Sequence, residues 1–380
     1  MNNSSVIDNR LCSGCNACAE ICPRKCIKME YDSAGFLYPV TDNHLCNNCG
    51  LCIKVCHTKY IRKQEPLKAY AARSNSDVQQ KGSSSGGIAD ILSRFILSHG
   101  GVVYGCVFNK TIVQHQRIDN IKDVERLKGS KYVQSELLGV FSLVKRDLQQ
   151  FMKVLFIGTP CQIAALRSFL GRDYNNLYLV DLVCHGVPSQ RMFNDYLDSI
   201  VSGKEIRNIS FRNGSQYLFT VETTDCRYAY NLWTNRYGDT FMNAFIDGVT
   251  LRESCYSCQY ASVKRVSDIT LGDFWGLKDV TLFSNREGQG ISLVLPCSDK
   301  GSELIEQIKG QLEIFERPVQ EAVDGNSGLR CAVAKSLRVC IFNELYKYLP
   351  FNIAVRFSLV DRYLMTTLRK IKRMINVSHR

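Results

Sequence analysis

Residues 12–22 read CSGCNACAEIC, and residues 46–56 read CNNCGLCIKVC. Each stretch holds four cysteines in the spacing C-x2-C-x2-C-x3-C, so one pattern occurs twice with a constant offset of 34 positions. Pro23 follows the first copy, whereas His57 follows the second. Three cysteines at intervals of three residues let a turning backbone present its thiolates to one face of a metal cluster. The repeat therefore predicts that the N-terminal part of the chain is organised around metal.

This spacing is the ligand pattern of bacterial-type ferredoxins with two clusters, in which the fourth cysteine of each run ligates the other cluster. We therefore expect one [4Fe–4S] cluster on Cys12, Cys15, Cys18 and Cys56, and a second on Cys46, Cys49, Cys52 and Cys22. Gly14 and Gly50 lie inside the turns, where amide groups can point at cluster sulfurs. A chain of this kind transfers single electrons.

Zinc and disulfides are the alternatives for these eight cysteines. Zinc sites usually pair two C-x2-C knuckles and do not run through three intervals. Disulfides need an oxidising compartment, and no signal peptide precedes Cys12. We therefore favour iron–sulfur clusters and expect a cytoplasmic protein.

Composition is that of a globular protein: 380 residues, 45% hydrophobic, 22% charged, with 18 cysteines. A ferredoxin module accounts for about 65 residues, which leaves roughly 300 for one large domain or two small ones. The apolar stretches are too short to span a bilayer. No motif for nucleic-acid binding occurs, and metal ligation accounts for the many cysteines better than disulfides do.

The net charge of +12 is concentrated at the C-terminus. Residues 351–380 hold seven basic residues against Asp361, which is half of the excess: Arg356, Arg362, Arg369, Lys370, Lys372, Arg373 and Arg380. Apolar residues recur there at roughly helical spacing. We favour a helix packed on the body with a solvated basic face. The alternative is a basic amphipathic helix that lies on an anionic membrane surface or docks on an acidic partner.

Apolar periodicity predicts the organisation of the rest of the chain. Helices alternate with short apolar strands from residue 88 to residue 202, which favours a sheet with some parallel strands. The predicted fold class is α+β, with a ferredoxin-like N-terminal domain followed by a larger α/β domain. The expected divisions are 1–65 for the ferredoxin domain, 66–80 for a linker, 81–325 for the large domain and 326–380 for a basic helical extension.

The segment Ser83-Ser84-Ser85-Gly86-Gly87 opens a predicted helix. Small residues before a helix N-terminus let backbone amides approach an anion such as phosphate, and the helix dipole favours that charge. The segment matches neither common phosphate-binding motif, so a flexible loop with a capping serine is an equal alternative.

Four further cysteines lie at positions that suit a third metal site. Cys161 follows a predicted strand at a helix N-terminus, where a thiolate is stabilised, and Cys184 follows the next strand. Cys255 and Cys258 form one C-x2-C. Because ligands bind at the carboxyl edge of open α/β sheets, these four cysteines can form a third [4Fe–4S] set. The alternatives are that Cys161 is a nucleophile or that these cysteines are small buried residues.

Five motifs together resemble the coenzyme F420 hydrogenase/dehydrogenase beta-subunit family, over nearly all of residues 1–310. They are K-x-x-S-S-G-G at 81–87, GTPCQIAAL at 158–166, VCHGVP at 183–188, C-x2-C at 255–258 and DITLGDFWG at 268–276. The resemblance implies a flavoprotein that contains FAD, with iron–sulfur clusters feeding it. It places Ser84, Ser85, Gly86 and Gly87 near the FAD, together with the segment Gly129-Ser130-Lys131-Tyr132. It also implies that Cys161, Cys184, Cys255 and Cys258 hold a cluster, whereas Gly288-x-Gly290-Ile-Ser292 fits a family segment without a role.

Several single residues are weaker candidates. His185 can deliver a proton to the flavin or the substrate, although a lone histidine is more often structural. Asp181 can orient it, but alternate strand residues point to opposite faces. Phe274 and Trp275 can stack on a flavin ring, although aromatic residues are more often core. Six cysteines without partner spacing are expected to be small buried hydrophobes: Cys26, Cys106, Cys226, Cys297, Cys331 and Cys340.

The predicted function is that of an oxidoreductase whose clusters carry one electron each and whose FAD bridges to two-electron chemistry. Its expected partners are a one-electron donor or acceptor such as ferredoxin, and an organic substrate, either a deazaflavin coenzyme or a biosynthetic intermediate. The rival hypothesis is an electron-transfer adaptor subunit for a partner enzyme, in one version for surface-polysaccharide biosynthesis.

Overall fold

The two cysteine runs fold as two copies of one turn-and-helix unit. The computed structural model describes residues 8–59, 62–233, 239–283 and 289–365. A left-handed residue precedes the short helix of each copy: Asn16 (φ 69°) before α1 (Ala17–Ile21) and Gly50 (φ 73°) before α2 (Leu51–Lys54). Gly14 and Asn48, also 34 positions apart, are both left-handed as well. Glycine and asparagine are the residues that adopt this conformation most readily.

An antiparallel hairpin of β1 (Ile27–Tyr31) and β2 (Leu37–Thr41) separates the two runs. The rest of the chain begins with β3 (Ala69–Ser74), α3 (Asp77–Gln80), α4 (Ile88–Ser98), β4 (Val102–Asn109), β5 (Ile112–Ile118), α5 (Val140–Gln149), β6 (Val154–Gly158), α6 (Pro160–Leu170), β7 (Leu177–Leu182) and α7 (Gln190–Val201). It continues with β8 (Ile206–Ser210), β9 (Leu218–Thr223), β10 (Arg227–Asn231), α8 (Thr240–Ile246), β11 (Ile269–Asp273), β12 (Ser292–Pro296), α9 (Asp299–Ile308), β13 (Leu312–Arg317), α10 (Val319–Gly325), α11 (Leu337–Leu345) and α12 (Phe351–Ser358).

An eight-stranded mixed sheet forms the centre of the large domain. Its strand order is β13-β3-β12-β11-β7-β6-β4-β5. The four strands β11, β7, β6 and β4 are mutually parallel, whereas β5 and the three strands at the other edge pair antiparallel. The predicted class, a ferredoxin-like domain followed by a larger α/β domain, is confirmed. The parallel order brings the carboxyl ends of β6 and β7 to one edge of the sheet.

The segment 66–80 differs from the expected linker. It contains β3, which lies between β13 and β12 in the central sheet, and the short helix α3. Ala69, Ala71 and Ala72 are fully buried in that strand. Small alanines and a following polar run conceal a strand from periodicity analysis, because alanine has little strand propensity.

The last part of the described chain packs on an aromatic core. This core lies between the three-stranded sheet β10-β9-β8 and helices α7, α8, α11 and α12. Phe342, Phe351, Val355 and Leu359 are buried in it, as the favoured interpretation of the C-terminus expects for one face of the helix. The basic residues from Arg369 to Arg380, with the later part of the proposed extension 326–380, lie outside the described residues. Within the described ranges, no helix is both long and apolar enough to cross a membrane.

Candidate functional site

Four thiols predicted to ligate one cluster surround one small cavity. Cys12, Cys15, Cys18 and Cys56 all line it. Burial raises the pKa of the Cys18 thiol to about 12, and negative charge on Cys12 and Cys56 contributes to the rise. Such mutual destabilisation of the thiolates is what a cationic metal cluster relieves. Cys56 of the second run thus lies beside the three cysteines of the first run, which is the placement that a crossed ligand set requires.

The other predicted set is joined by an unexpected cysteine. Cys22, Cys26, Cys46 and Cys52 belong to one packed cluster, and Cys49 is an exposed residue of the same run. The Sγ atoms of Cys22 and Cys26 lie 3.3 Å apart. Cys26, expected only as a small buried residue, is buried but also contacts predicted ligands, because hairpin strand β1 starts directly after it.

His57, which replaces the second proline, connects the ferredoxin-like part to the large domain. Its ring nitrogens lie 2.8 Å from the Ser13 hydroxyl and 2.7 Å from the Tyr260 hydroxyl. Burial lowers the pKa of His57 to about 4. The ring is therefore neutral near pH 7 and acts as a hydrogen-bonding bridge.

The further set of four cysteines also converges. Cys161 lies in the first turn of α6, and Cys184 follows β7. Cys255 is the last residue of a short 3-10 turn at Glu253–Cys255, and Cys258 follows three residues later. Burial raises the pKa of Cys184, and charge on Cys255, Cys161 and Cys258 adds to that effect. The structure thus brings together thiols that are 97 positions apart at most in the sequence.

Cys161 combines a helix N-terminus with a buried environment, and the two act on its pKa in opposite directions. Its position at a helix N-terminus predicted a stabilised thiolate, but burial raises the pKa of its thiol to about 11. Thr159 and Pro160 do start the helix as expected, and the Thr159 N–H donates to Gln162 Oε1 at 2.9 Å. Loss of hydration disfavours the charged thiolate, and charge on Cys258 adds to that effect.

In the part of the chain that the structure describes, no group of three or more His, Cys, Asp or Glu side chains is arranged to hold one metal ion. A four-iron cluster spreads its four thiolates over the corners of a cube, so that this finding concerns single ions only.

A cavity of about 470 Å³ extends from Cys15 of the first set and three cysteines of the further set to the glycine-rich segment. On one side it is lined by the first cluster turn, Ser13-Gly14-Cys15, and by Cys161, Cys184 and Cys255. On another side it is lined by Ser83, Ser84, Ser85 and Gly87, and by Gly129, Ser130, Lys131 and Tyr132. This volume lies in the range of sites for small molecules and cofactors.

The serine–glycine segment forms a tight cradle. The Ser130 N–H donates to Ser84 Oγ at 2.7 Å, which ties the two predicted cofactor segments together. Gly86 leaves no room for a side chain, because an added Cβ would lie 2.3 Å from the carbonyl oxygen of Ala72. Gly87 (φ +82°) turns the chain into α4. Ser85 Oγ is buried and has no hydrogen-bond partner among the described residues.

Lys131 stabilises the neighbouring loop. Its Nζ donates to backbone carbonyl oxygens at 2.8–3.3 Å, those of Arg126, Leu127, Lys128 and Gly129. Burial lowers its pKa to about 8. Through these hydrogen bonds the ammonium group stabilises the conformation of the loop that contains Ser130 and Tyr132.

His185 lines the cavity with a defined orientation. Its Nε2 lies 3.1 Å from the Phe245 carbonyl oxygen, so that Nε2 carries the hydrogen and Nδ1 is the proton acceptor. Burial lowers its pKa. Asp181 does not orient it: its carboxylate accepts from Arg265 at 2.9 Å and from Thr270 at 2.6 Å.

The remaining aromatic and cysteine candidates differ in how deeply they are buried. Trp275 lines the cavity and is 43% exposed, whereas Phe274 is buried in the core. Cys297 is buried as expected, and Cys106 is half-buried and lines the cavity. Cys226, Cys331 and Cys340 are exposed, so that the expectation of burial is wrong for these three. Gly290 contacts Ser85, while Gly288 lies outside the described residues.

Sequence reasoning missed the cations of the cavity. Arg212 pairs with Asp273 at 2.6 Å and lies over the Tyr217 ring at 4.7 Å. Arg252 is fully buried beside the first cluster turn. Both are isolated arginines without a motif; the only available signal was the position of Arg252 three residues before Cys255.

Comparisons with known proteins agree with the motifs. Residues 151–321 match the family model for the C terminus of the coenzyme F420 hydrogenase/dehydrogenase beta subunit, and residues 11–60 match the 4Fe-4S dicluster domain. A chain of the F420-reducing NiFe hydrogenase complex from Methanosarcina barkeri is similar at 18% identity, with a TM-score of 0.45 over 69% of this chain and 90% of that one. Comparison with curated proteins gave no match.

Proposed function

The chain belongs to the coenzyme F420 hydrogenase/dehydrogenase beta-subunit family and carries a 4Fe-4S dicluster domain, and from this we propose an iron–sulfur flavoprotein oxidoreductase. It would exchange single electrons with a donor or acceptor such as ferredoxin, and two electrons with an organic substrate. The proposed ligands of a third cluster are Cys161, Cys184, Cys255 and Cys258.

One observation carries this proposal. The first cluster turn, three cysteines of the proposed third set and the serine–glycine cradle all line a single cavity. Electron transfer between cofactors requires short distances, and a two-electron reaction requires a pocket for an organic molecule. One cavity in this chain offers both.

The cradle suits FAD. Buried Ser85 Oγ lacks a partner among the described residues. Gly86 and Gly87 carry no side chain, and the eleven-residue helix α4 begins directly after Gly87, so that its N-terminal backbone N–H groups lie next to the cradle. Such a helix start favours a pyrophosphate. Ser84, Ser85, Gly86, Gly87, Ser130 and Tyr132 would hold the cofactor, with Lys131 shaping the loop. When bound, FAD would supply the conversion between one-electron and two-electron transfer.

His185 would manage the proton that accompanies the electron pair. Two electrons and one proton amount to a hydride equivalent, so that substrate oxidation releases a proton near the pocket. The neutral ring offers Nδ1 as acceptor, while Nε2 is held by the Phe245 carbonyl. The same nitrogen would return the proton when the reaction runs in reverse.

A second candidate function is that of an electron-transfer adaptor. The matched family model is named for a beta subunit, which favours a chain that passes electrons to a partner enzyme. In either case we propose a cytoplasmic location, because a reducing compartment keeps the free thiols and clusters intact.

Anaerobic reconstitution of the full chain tests the proposal. Three sets of four cysteines predict about twelve irons and one FAD per chain. C161S and C255S should each lose about four irons, whereas C297S, which changes a buried cysteine outside the three sets, should lose none. Eight irons without flavin would refute the oxidoreductase. Full cofactor content with no turnover between reduced methyl viologen and coenzyme F420, until a partner is added, would favour the adaptor.

A further inference from the structure

Cys26 lies beside the cysteines predicted to hold the second cluster, although it is not one of the eight in the repeat. Its side chain is 4% exposed and packs with Cys22, Cys46 and Cys52. Its Sγ atom lies 3.3 Å from Cys22 Sγ, within hydrogen-bonding distance for two sulfur atoms, and its side chain also interacts with that of Cys46. Together with Cys49, five thiols are available to a cluster that needs four.

Backbone hydrogen bonds fix Cys26 in this place. The Lys25 N–H donates to the Cys22 carbonyl oxygen at 3.2 Å, which closes a turn that returns the chain towards Cys22. Lys25 (φ 52°) is left-handed within it, a conformation that few residues other than glycine adopt readily. The Cys26 carbonyl oxygen then accepts from the Asp42 N–H at 2.7 Å, and the Asp42 carbonyl oxygen accepts from the Cys46 N–H at 3.1 Å. Cys26 is thus held between the two cysteine runs.

The two sulfur atoms are too close to bind two different irons of one cluster. Each thiolate of a [4Fe–4S] cluster bonds the iron at its own corner of the cube, and the corners keep their ligands well apart. We propose that Cys26 is an alternative ligand of the second cluster, which binds the same iron as Cys22. In the exchange the iron–sulfur bond passes from Cys22 to Cys26, and the thiol proton passes from Cys26 to Cys22. The numbers of irons, protons and electrons stay unchanged.

The other cysteine run has the same turn without the additional thiol. The Lys59 N–H donates to the Cys56 carbonyl oxygen at 3.4 Å, as the Lys25 N–H does to Cys22. Residue 60, at the position equivalent to Cys26, is a tyrosine. Four cysteines line the small cavity of the first set, with no fifth among the described residues. Removal of Cys56 is therefore the matched control for removal of Cys22.

The iron content of the anaerobically reconstituted full chain tests the proposal, together with electron paramagnetic resonance of the reduced protein. Alanine variants are used because alanine offers no ligand atom. C22A should hold as much iron as wild type, since Cys26 takes the vacant corner, and C26A should as well. C56A and C22A/C26A should each hold about four irons fewer than wild type. A C22A protein as poor in iron as C22A/C26A overturns the proposal. Loss of about four irons in C26A makes Cys26 an obligatory ligand and also overturns it.

Iron release to a chelator tests the proposal in protein that keeps all eight cysteines of the repeat. Wild type has two thiols for one corner, so that its second cluster should lose iron at least about twofold more slowly than that of C26A, because a neighbouring tethered thiol recaptures the iron. C297A, which changes a buried cysteine outside the predicted sets, should release iron like wild type. Equal rates for C26A and C297A overturn the proposal. Differences in iron content between variants of the dicluster domain do not depend on FAD, so that a chain without flavin would refute the proposed function and leave this inference standing.

Discussion

Arg252 donates a hydrogen bond from Nε to the backbone carbonyl oxygen of Cys12 at 2.7 Å. The same guanidinium donates to the Leu37 carbonyl oxygen at 2.7 Å and to Gln134 Oε1 at 3.2 Å, and lies 4.3 Å from the centre of the Tyr38 ring. It forms no ion pair with a carboxylate within the described ranges. A fully buried cation is therefore held by neutral groups beside the first cysteine set, and its charge acts to lower the pKa of Cys161 and Cys255 against the larger effect of burial.

We expect Arg252 to raise the reduction potential of the clusters nearest to it. A cluster with four thiolates gains negative charge on reduction, which a buried cation stabilises. R252Q should lower a potential by roughly 60 mV, the one-electron equivalent of about 1.4 kcal/mol. R252K keeps the charge and should shift the potential less. Redox titration monitored by electron paramagnetic resonance measures the effect. R73Q, which removes a buried arginine paired with Glu313, is the control; equal potentials in R252Q and R73Q would contradict this role.

Gly14 is expected to be irreplaceable because of the same arginine. An added Cβ would lie 2.8 Å from Arg252 Nη1 and 2.9 Å from the Leu37 carbonyl oxygen. The equivalent residue in the second cysteine run is Asn48, also left-handed, so that the turn itself accepts asparagine. G14N should therefore destabilise the protein by about 1–3 kcal/mol. G50N places asparagine where the first run has Asn16 and where no atom lies within 4 Å of the new Cβ, so its urea midpoint should stay near that of wild type. Equal midpoints for the two variants would show that the contact with Arg252 is unimportant.

The features that could be predicted from the sequence depend on residues that are close together in the chain. The short intervals within each cysteine run predicted its turns, and Cys161 and Cys184 were each predicted to follow a strand. Because β6 and β7 are parallel neighbours, their carboxyl ends meet at one edge. The positions of Cys161 and Cys184 after two consecutive strands were therefore enough to predict that they lie at the same edge of the sheet.

Other features depend on contacts between distant segments and leave no periodic signal. Arg252 meets Cys12 across 240 positions. Asp181 pairs with Arg265 because a buried carboxylate needs a charged partner. This tertiary contact is the reason that Asp181 does not orient the His185 ring. β3 was missed because its buried residues are mainly alanines.

Ser84 and Ser85 should respond differently to removal of the hydroxyl. Ser85 Oγ has no protein partner among the described residues, so that S85A should leave the stability of the cofactor-free protein unchanged and lower its affinity for FAD by about tenfold, the value of one hydrogen bond of about 1.4 kcal/mol. Ser84 Oγ accepts from the Ser130 N–H, so that S84A should reduce both quantities. Equilibrium flavin binding and urea unfolding of the same preparations measure them. Unchanged flavin affinity in S85A would remove Ser85 from the cradle.

His115 should make the protein sensitive to mild acid. Its Nε2 lies 2.9 Å from the Ile157 carbonyl oxygen and its Nδ1 lies 2.8 Å from the Ser135 hydroxyl, which in turn accepts from Gln162. Burial lowers the pKa of His115 from 6.5 to about 4. The unfolded chain therefore takes up a proton near pH 6.5, whereas the folded protein does so only near pH 4, and the stability present above pH 6.5 is lost progressively as the pH falls through this window.

The loss from this one group amounts to about 3 kcal/mol at about pH 4. H115Q cannot titrate, so that its free energy of unfolding should fall less than that of wild type between about pH 7 and about pH 4.5. Urea unfolding under anaerobic conditions, followed by tryptophan fluorescence, measures the difference, and subtraction cancels acid effects common to both proteins. H99Q, which changes an exposed histidine, is the control and should follow wild type. If H115Q loses as much stability as wild type over this range, the buried ring is not the source of the acid sensitivity, and the Ser135–Gln162 network contributes to stability in the same way at both pH values.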